Sequence, residues 1–517
     1  MENFKESASV SIKLSDTVKD DLNELMLQRK EKLEKIESLG IDPFPHHCIR
    51  THNIADLLDH KDMFISSGET VYITGRIISH RRQGKIGFSH LQDYSGKIQA
   101  FIRQDKIGEL NYELYKLIDL GDFIQVKGQA IYTQTGEYSV LAEEIVLLSK
   151  NMKPLPIVKE KEIDGKLVRY DEFTDIELRY RKRYLDLLLN PSHKQTFENR
   201  AKIITTIRKF LDNRGFLEVE TPILQPLYGG ANARPFTTYH NTLGYDLYLR
   251  IATELYLKRL IIGGFERVYE IGKNFRNEGM DRTHNPEFTA IELYQAYSDL
   301  DGMMEITESL FRCIANDVFK SNIVEYGDHF IDLDKPFKKS SMLELIRDYT
   351  NEDFSCFDTD KLKSFCQKEG VKLDDHANAG RMIAAIFDHF VEDKLIQPTF
   401  VTDYPKEISP LAKNHPQNPN LVERFELFIC GKEYGNAFTE LNSPIEQRKR
   451  LDAQAKEKEL GDHEANVVDE DFIEALEYGM PPMGGLGIGI DRLIMFFTNN
   501  SSIKEVIFFP QMKIEHK

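Results

Sequence analysis

The run RVYEIGKNFRNEGMDRTHNPEFTAIELYQAY, residues 267–297, restricts the possible folds of this chain more than any other stretch. It reads as a strand, a polar loop and a returning strand. Side chains alternate across a strand, so Phe288, Glu292 and Tyr294 share a face with the small Ala290 and Ala296, and Arg276 and Glu278 share a face of the first strand. Arginine, acids and aromatics together make a poor core. The pattern fits either a solvated sheet face or one wall of a pocket for a nucleotide and an amino acid.

A second strand pair has the same texture: ERFELFIC, the turn Gly431-Lys432, then EYGNAFTEL. Asn436, Phe438 and Glu440 alternate onto one face, and Glu426 and Glu433 flank the turn. Two such acids are usually surface charge. With phosphates close by they would instead suit Mg²⁺, which takes one or two carboxylates and completes its shell with phosphate oxygens. The third element is GMPPMGGLGIGIDRLIMFF, residues 479–497, where Gly484, Gly485, Gly487 and Gly489 permit close backbone approach and Arg492 falls in the first turn of the following helix. The pattern is neither a dinucleotide fingerprint nor a P-loop, so tight strand-to-helix packing competes with a binding role. A guanidinium keeps its charge, forks onto phosphate and stacks on a base, which makes Arg492 the residue of interest.

The remaining chain is multidomain α+β. Residues 1–60 form a helical extension, with an amphipathic helix over 17–39 that stops at Gly40 and an outer face mixing Arg29, Lys30, Lys32 and Lys35 with glutamates. Residues 61–150 carry five short strand-like segments broken by turns, the signature of an OB-type barrel that binds single-stranded nucleic acid by stacking and hydrogen bonding. Arg81, Phe88 and Gln99 could supply such contacts, although an exposed phenylalanine is common. Residues 151–190 read as a linker with one short helix, and 191–517 as a long α+β region with a helical insertion around 340–396. That region opens with a helix ended by Asn213-Arg214-Gly215 and the strand-like FLEVETP.

A formal charge of −17 argues against nonspecific nucleic-acid coating, so any RNA contact must be local. Five scattered cysteines, never in C-x-x-C spacing, imply neither zinc nor disulfides. No apolar run approaches the ~20 residues of a membrane span and no signal segment is visible, so a cytoplasmic location is expected.

FLEVETPIL with Pro222, NFRNEG followed by HNPEF, and GLGIGIDR together resemble, in order and spacing, the three signature motifs of the class II aminoacyl-tRNA synthetases, and in detail their lysine-specific members. The likeness runs from about residue 20 to the end. It implies an N-terminal OB-fold anticodon-binding domain and a catalytic domain built on an antiparallel sheet flanked by helices. It also implies ATP, L-lysine and tRNA(Lys) as substrates, Mg²⁺ as cofactor, and a homodimer formed through the first motif. By the same resemblance Arg276 and Arg492 are catalytic. Arg276 would grip the α-phosphate; Glu278, His284 and Asn285 would position the nucleotide; and adenine would lie between Phe288 and Arg492. Glu254, Glu292 and Tyr294 would take the ammonium end of lysine, with Gly230, Asn436, Phe438 and Glu440 forming the rest of that pocket. Glu426 and Glu433 would hold Mg²⁺, and Arg81, Phe88 and Gln99 would read the anticodon.

The pocket chemistry agrees: a lysine ε-ammonium has three donors and no acceptor, so a selective site must bury acceptors and negative charge. A related enzyme for aspartate or asparagine would need a cation where Glu254 and Glu292 stand. The relative that lysylates a translation factor lacks the barrel, and a noncatalytic descendant would have lost motif arginines or acids. One departure is visible. The family often has proline after Arg-Ile-Ala, where this chain has Thr253, a change expected to affect loop stiffness more than chemistry.

Overall fold

The computed structural model describes residues 16–156, 159–163, 166–170, 175–373, 377–459 and 468–514. Contacts divide the chain into two compact units, Met1–Phe173 and Thr174–Lys517.

In the first unit, helix α1 (Asp16–Ser38) ends before Gly40, whose φ of 73° lies in the left-handed region glycine tolerates. Arg29 departs from expectation. It is buried, donating to the carbonyls of Leu120 and Asn151 at 3.0 Å, because a long cationic side chain can reach across the helix flank to unpaired backbone oxygens. Five strands follow: β1 (Thr70–Gln83), β2 (Ile86–Gln92), β3 (Lys97–Arg103), β4 (Phe123–Tyr132) and β5 (Tyr138–Ser149). They close into a barrel in the order β1-β2-β3-β5-β4, so no sheet edge is left unpaired. Alternation sends Val71, Ile73 and Ile77 of β1 into the core. Between β3 and β4 lies a helix the strand pattern did not announce, α2 (Gln104–Leu117), whose Ile107, Tyr112, Leu114 and Tyr115 join that core.

The 151–190 stretch holds more structure than one helix. Lys159–Ile163 pairs with Lys166–Tyr170, and two short helices, Ile176–Arg181 and Arg183–Leu189, break at Lys182.

The second unit is organised by α3 (Pro191–Asp212), β6 (Leu217–Glu218), α4 (Glu254–Ile262), β7 (Arg267–Phe275), β8 (Glu287–Ala296), α5 (Leu300–Ile314), β9 (Lys338–Ser341), β10 (Thr399–Pro405), β11 (Leu421–Ile429), β12 (Lys432–Thr439), β13 (Met483–Gly489) and α6 (Ile490–Phe497). Its eight strands run β9-β10-β11-β12-β13-β8-β7-β6, antiparallel except for the two outermost pairs. FLEVETP contributes only the two residues of β6 to the ladder, with the Val219 N–H adding one bond to Tyr269. One sheet face sends Ile291, Leu293, Phe425, Leu427 and Ile488 into a core shared with Ile207 of α3, Leu310 of α5 and Leu493 of α6. The intervening side chains therefore emerge on the opposite face, where the polar residues of β8 and β12 collect. Three helices, Met342–Thr350, Thr359–Glu369 and Ala379–Phe390, occupy the expected insertion and pack their own core against Val401, Val422 and Phe428 of the sheet. No helix among the described residues is long and apolar enough to cross a membrane.

Candidate active site

A cavity of about 470 Å³ opens on that second face of the sheet. β8 lends it Phe288, Glu292 and Tyr294; β12 lends Glu433, Asn436 and Phe438, with Glu440 just beyond the strand end. Glu426 comes from β11, Glu254 from the first position of α4, Arg492 from the first turn of α6 and Gly230 from a loop. The β7–β8 loop adds Arg276, Glu278, His284 and Asn285. One expectation is corrected here. β7 ends at Phe275, so Arg276 and Glu278 stand in the loop beyond it and do not share a strand face; the Arg276 N–H donates to Pro286 O at 2.8 Å, one step past the last ladder pair.

At one end three acids crowd together. Glu440 and Glu254 are buried, and each places an oxygen 2.5 Å from Nζ of Lys258, which is fully enclosed. Burial by itself lowers the Lys258 ammonium, but the two carboxylates outweigh it and hold it above the ordinary lysine range. Glu292 accepts from the Thr253 N–H at 3.1 Å and from the Tyr294 hydroxyl at 3.2 Å. Burial, reinforced by the charge of Glu254, pushes the Glu292 carboxyl up, and burial pushes Glu440 up against the pull of Lys258. The Tyr294 hydroxyl, pushed well above its usual value by burial and by all three acids, stays a donor. Apart from the Lys258 ion pair, neither oxygen of Glu440 receives a hydrogen bond, an unmet acceptor pair in a closed setting. Gly485 makes the arrangement possible. A Cβ there would lie 2.5 Å from Tyr294 Cε1 and closer still to Glu440 Oε1. Thr253 proves to be more than a matter of loop stiffness, since its donation to Glu292 uses an N–H that proline lacks.

At the other end the groups suit an anion. The Arg276 guanidinium lies 5.1 Å from the Phe288 ring centroid, and its buried Nε has no acceptor. His284 is oriented by Asp281, whose carboxylate accepts from His284 Nδ1 at 2.8 Å and from the backbone of Thr283 and His284. Those bonds outweigh the carboxylate's slight burial and hold it well below the usual range. Asn285 is buried with both amide ends engaged, donating to Glu287 O and accepting from the Gln511 N–H, so it braces the loop. Arg492 donates to Glu433 O at 2.7 Å and lies 3.4 Å from its carboxylate.

A bulge in the β11–β12 ladder lets Glu433 face the cavity. Pairing shifts between Leu427 and Phe428, so Tyr434 and Gly435 both turn into the core and Glu433 returns to the face of Asn436. Glu426 accepts from Tyr404 at 2.9 Å and pairs with Arg424 at 2.5 Å; burial pushes its carboxyl up, opposed by Arg424 and reinforced by Glu433. Two like-charged carboxylates, one of them reluctant to ionise when buried, fit a hard divalent cation completed by phosphate oxygens. Among the described residues no group of three or more His, Cys, Asp or Glu could hold a metal unaided.

Lys258 and Arg424 escaped the sequence reading, yet both left signals. Lys258 falls four residues after Glu254 on one helix, hence on the same face, and stands beside Arg259 as one of two cations in the otherwise largely apolar run ELYLKRLII. Arg424 precedes Glu426 by two on a strand, again on one face.

In the barrel, Arg81 pairs with Phe88 and Phe88 with Phe101, the two rings stacked at 4.8 Å and 4°. The neighbouring row is His90, Gln99 and Ser139. Gln99 is buried, donating to Glu137 at 2.7 Å and accepting from Ser139 at 2.8 Å, so it is the held part of this face and Glu137 the carboxylate that sequence reading missed.

An antiparallel sheet with three motif-bearing strand and helix junctions around an acid-floored, arginine-walled cavity, together with a barrel, defines a class. A family model for class II tRNA synthetases (D, K and N) matches residues 175–513, and one for an OB-fold nucleic acid binding domain matches 71–148. The chain belongs to the class II tRNA synthetases. Within that class it is similar to the lysine–tRNA ligase of Lactococcus lactis subsp. cremoris, 48% identical over 96% of this chain and 99% of the relative. The lysine–tRNA ligase of Streptococcus pneumoniae (strain CGSP14) is 49% identical over the same shares.

Proposed function

We propose that this chain is a lysine–tRNA ligase in which the cavity joins lysine to ATP and the acid cluster selects the amino acid. The observation that carries the reading is the closure of three carboxylates and a tyrosine hydroxyl around one end of a cavity whose other end presents Arg276 and Arg492. The ionised lysine carboxylate attacks the α-phosphorus of ATP, pyrophosphate leaves, and a terminal ribose hydroxyl of tRNA(Lys) then displaces AMP from the lysyl-adenylate. No general base is needed in the first step.

Arg276 grips the α-phosphate with its free Nε; Phe288 and Arg492 sandwich the adenine; and Glu278, His284 and Asn285 hold the nucleotide loop. Glu254, Glu292, Tyr294 and Glu440 take the substrate's ammonium groups, and Gly230, Asn436 and Phe438 shape the remaining wall. Catalysis comes from positioning and from fixed positive charge where the transition state is most negative. Glu426 and Glu433 would hold Mg²⁺, which supplies charge to the departing pyrophosphate. An anionic amino acid fits poorly, since the one cation among the acids, Lys258, is already engaged by two of them.

Arg81, Phe88 and Gln99 of the barrel face contact the anticodon, the aromatic row stacking on bases. The protein acts in the cytoplasm as a homodimer. Exposed Leu217 on edge strand β6, and exposed Ile223, Leu224 and Leu227 in the segment that follows it, offer apolar surface suited to a second copy. ATP–pyrophosphate exchange with each of the twenty amino acids, followed by charging of total tRNA, tests the reading. Only lysine should support exchange; a response to aspartate or asparagine, or no exchange at all, overturns it.

A further inference from the structure

We propose that Lys258 is a specificity-determining positioning residue of the amino-acid site, its buried ammonium tying Glu254 to Glu440 and setting the cluster's charge at the value that two substrate ammonium groups neutralise. The inference rests on the lysine reading given above and assigns a part to a residue that touches no substrate.

Around this ammonium stand Glu254 on its own helix, Glu440 past β12, and Glu292 and Tyr294 on β8. Lys258 Nζ is 2.5 Å from one oxygen each of Glu254 and Glu440, and 6.0 Å from the Tyr294 ring centroid. Burial holds Glu440 and Glu292 towards their protonated forms, and incoming ammonium groups favour their ionisation; with all three acids ionised, three carboxylates and one ammonium leave two negative charges. Free lysine arrives with two ammonium groups, its carboxylate being directed to Arg276. The balance closes for lysine, whereas an amino acid with a single ammonium leaves one buried carboxylate unmatched. Without Lys258, three carboxylates would share a dry pocket, and like charges at that range force one to keep a proton. The protonated acid would then face a substrate donor.

This makes the sign of a substitution depend on its background. In the wild-type background, Lys258→Met, similar in length, should raise the lysine Kd at least about tenfold at pH 7. The loss should shrink towards pH 8.5, as the third acid gives up its proton. In a Glu254→Gln background only one net negative charge remains, and adding Lys258→Met restores two. The double variant should therefore bind lysine about tenfold more tightly than Glu254→Gln alone. A purely packing role predicts the same loss in both backgrounds and no change with pH.

Lysine titration calorimetry on the full chain reads all four proteins, with ATP affinity and thermal melting as controls. The double variant lacks one member of each opposing charge type, so it keeps the test open if Lys258→Met alone does not fold. Tighter lysine binding in the double variant than in Glu254→Gln supports the proposal; equal or weaker binding overturns it. If wild type itself shows no lysine binding, the lysine reading falls; if wild type binds and the background reversal is missing, only the part given to Lys258 falls.

Discussion

Adjacent glycines at 484 and 485 lie on opposite faces of β13, and an alanine at each should give a different defect. At Gly485 the new Cβ would stand 2.5 Å from Tyr294 Cε1 and closer to Glu440 Oε1, within the buried floor of the lysine end. Carbon and oxygen need more than 3 Å, so Glu440 Oε1 must shift, which disturbs the 2.5 Å pairing that Oε2 of the same carboxylate makes with Lys258. Overpacking a closed site costs about 1 to 3 kcal/mol, which at ~1.4 kcal/mol per decade is roughly a fivefold to hundredfold rise in the lysine KM. The ATP end lies beyond Asn436 and Phe438, so the ATP KM should hardly move. At Gly484 the Cβ would instead meet Met303 Cγ at 2.8 Å and Asp299 O at 2.9 Å, on the side facing α5. Gly484→Ala should therefore lower the melting temperature and leave the lysine KM within about threefold of wild type. ATP–pyrophosphate exchange at varied lysine and at varied ATP, with a thermal melt of each variant, separates the two. A Gly485→Ala protein with unchanged lysine KM, or one that loses ATP and lysine affinity equally, would refute the assignment of that floor to the amino acid.

Arg276→Ala should cut lysine-dependent exchange by about 10² to 10³, the cost of removing one fixed positive partner of a transition-state oxygen, with folding checked by circular dichroism; near-normal exchange counts against its role. Thr253→Pro removes the N–H that Glu292 accepts while Tyr294 still donates, so the lysine KM should rise about threefold and kcat should change little. His80 in the barrel is pushed down to about 4, first by burial and then by Arg82, with its ring 4.7 Å from that of Tyr115. A folded value below the free value of 6.5 means that folding excludes a proton. Its contribution is present above pH 6.5 and is lost as pH falls towards 4, by at most about 3 kcal/mol. Hydrogen exchange at β1 and β2 amides should show that acid loss in wild type and a flatter profile in His80→Phe; identical profiles would remove His80 as the cause.

Much of this molecule was legible from local pattern. The alternation in β8, the turn glycines and the spacing of strand segments in the barrel are short-range facts, and period and turn chemistry are written in neighbouring residues. The same holds for the α3 helix and its stop at Gly215, where a φ of 77° needs glycine. What failed locally failed for local reasons. Helix α2 holds a glycine with non-helical φ and ψ at Gly108, which breaks its periodic signal, and FLEVETP has strand-like composition but only one neighbour to pair with. The charged outer face assigned to α1 concealed Arg29, because only the folded chain shows which carbonyls lie within reach of a guanidinium.

By itself, then, the sequence determined which residue types stand at which spacing, and so the elements, the three motifs and the list of acids and arginines that could meet. Only the tertiary structure decided that Lys258 lies between Glu254 and Glu440, that a bulge turns Glu433 onto the cavity face, and that Thr253 donates to Glu292. These are contacts between residues up to 182 positions apart, as in the Lys258–Glu440 pair, and they depend on register and sheet order. A one-residue shift in pairing exchanges the faces of a strand, and nothing in the neighbouring sequence records which register the completed sheet adopts.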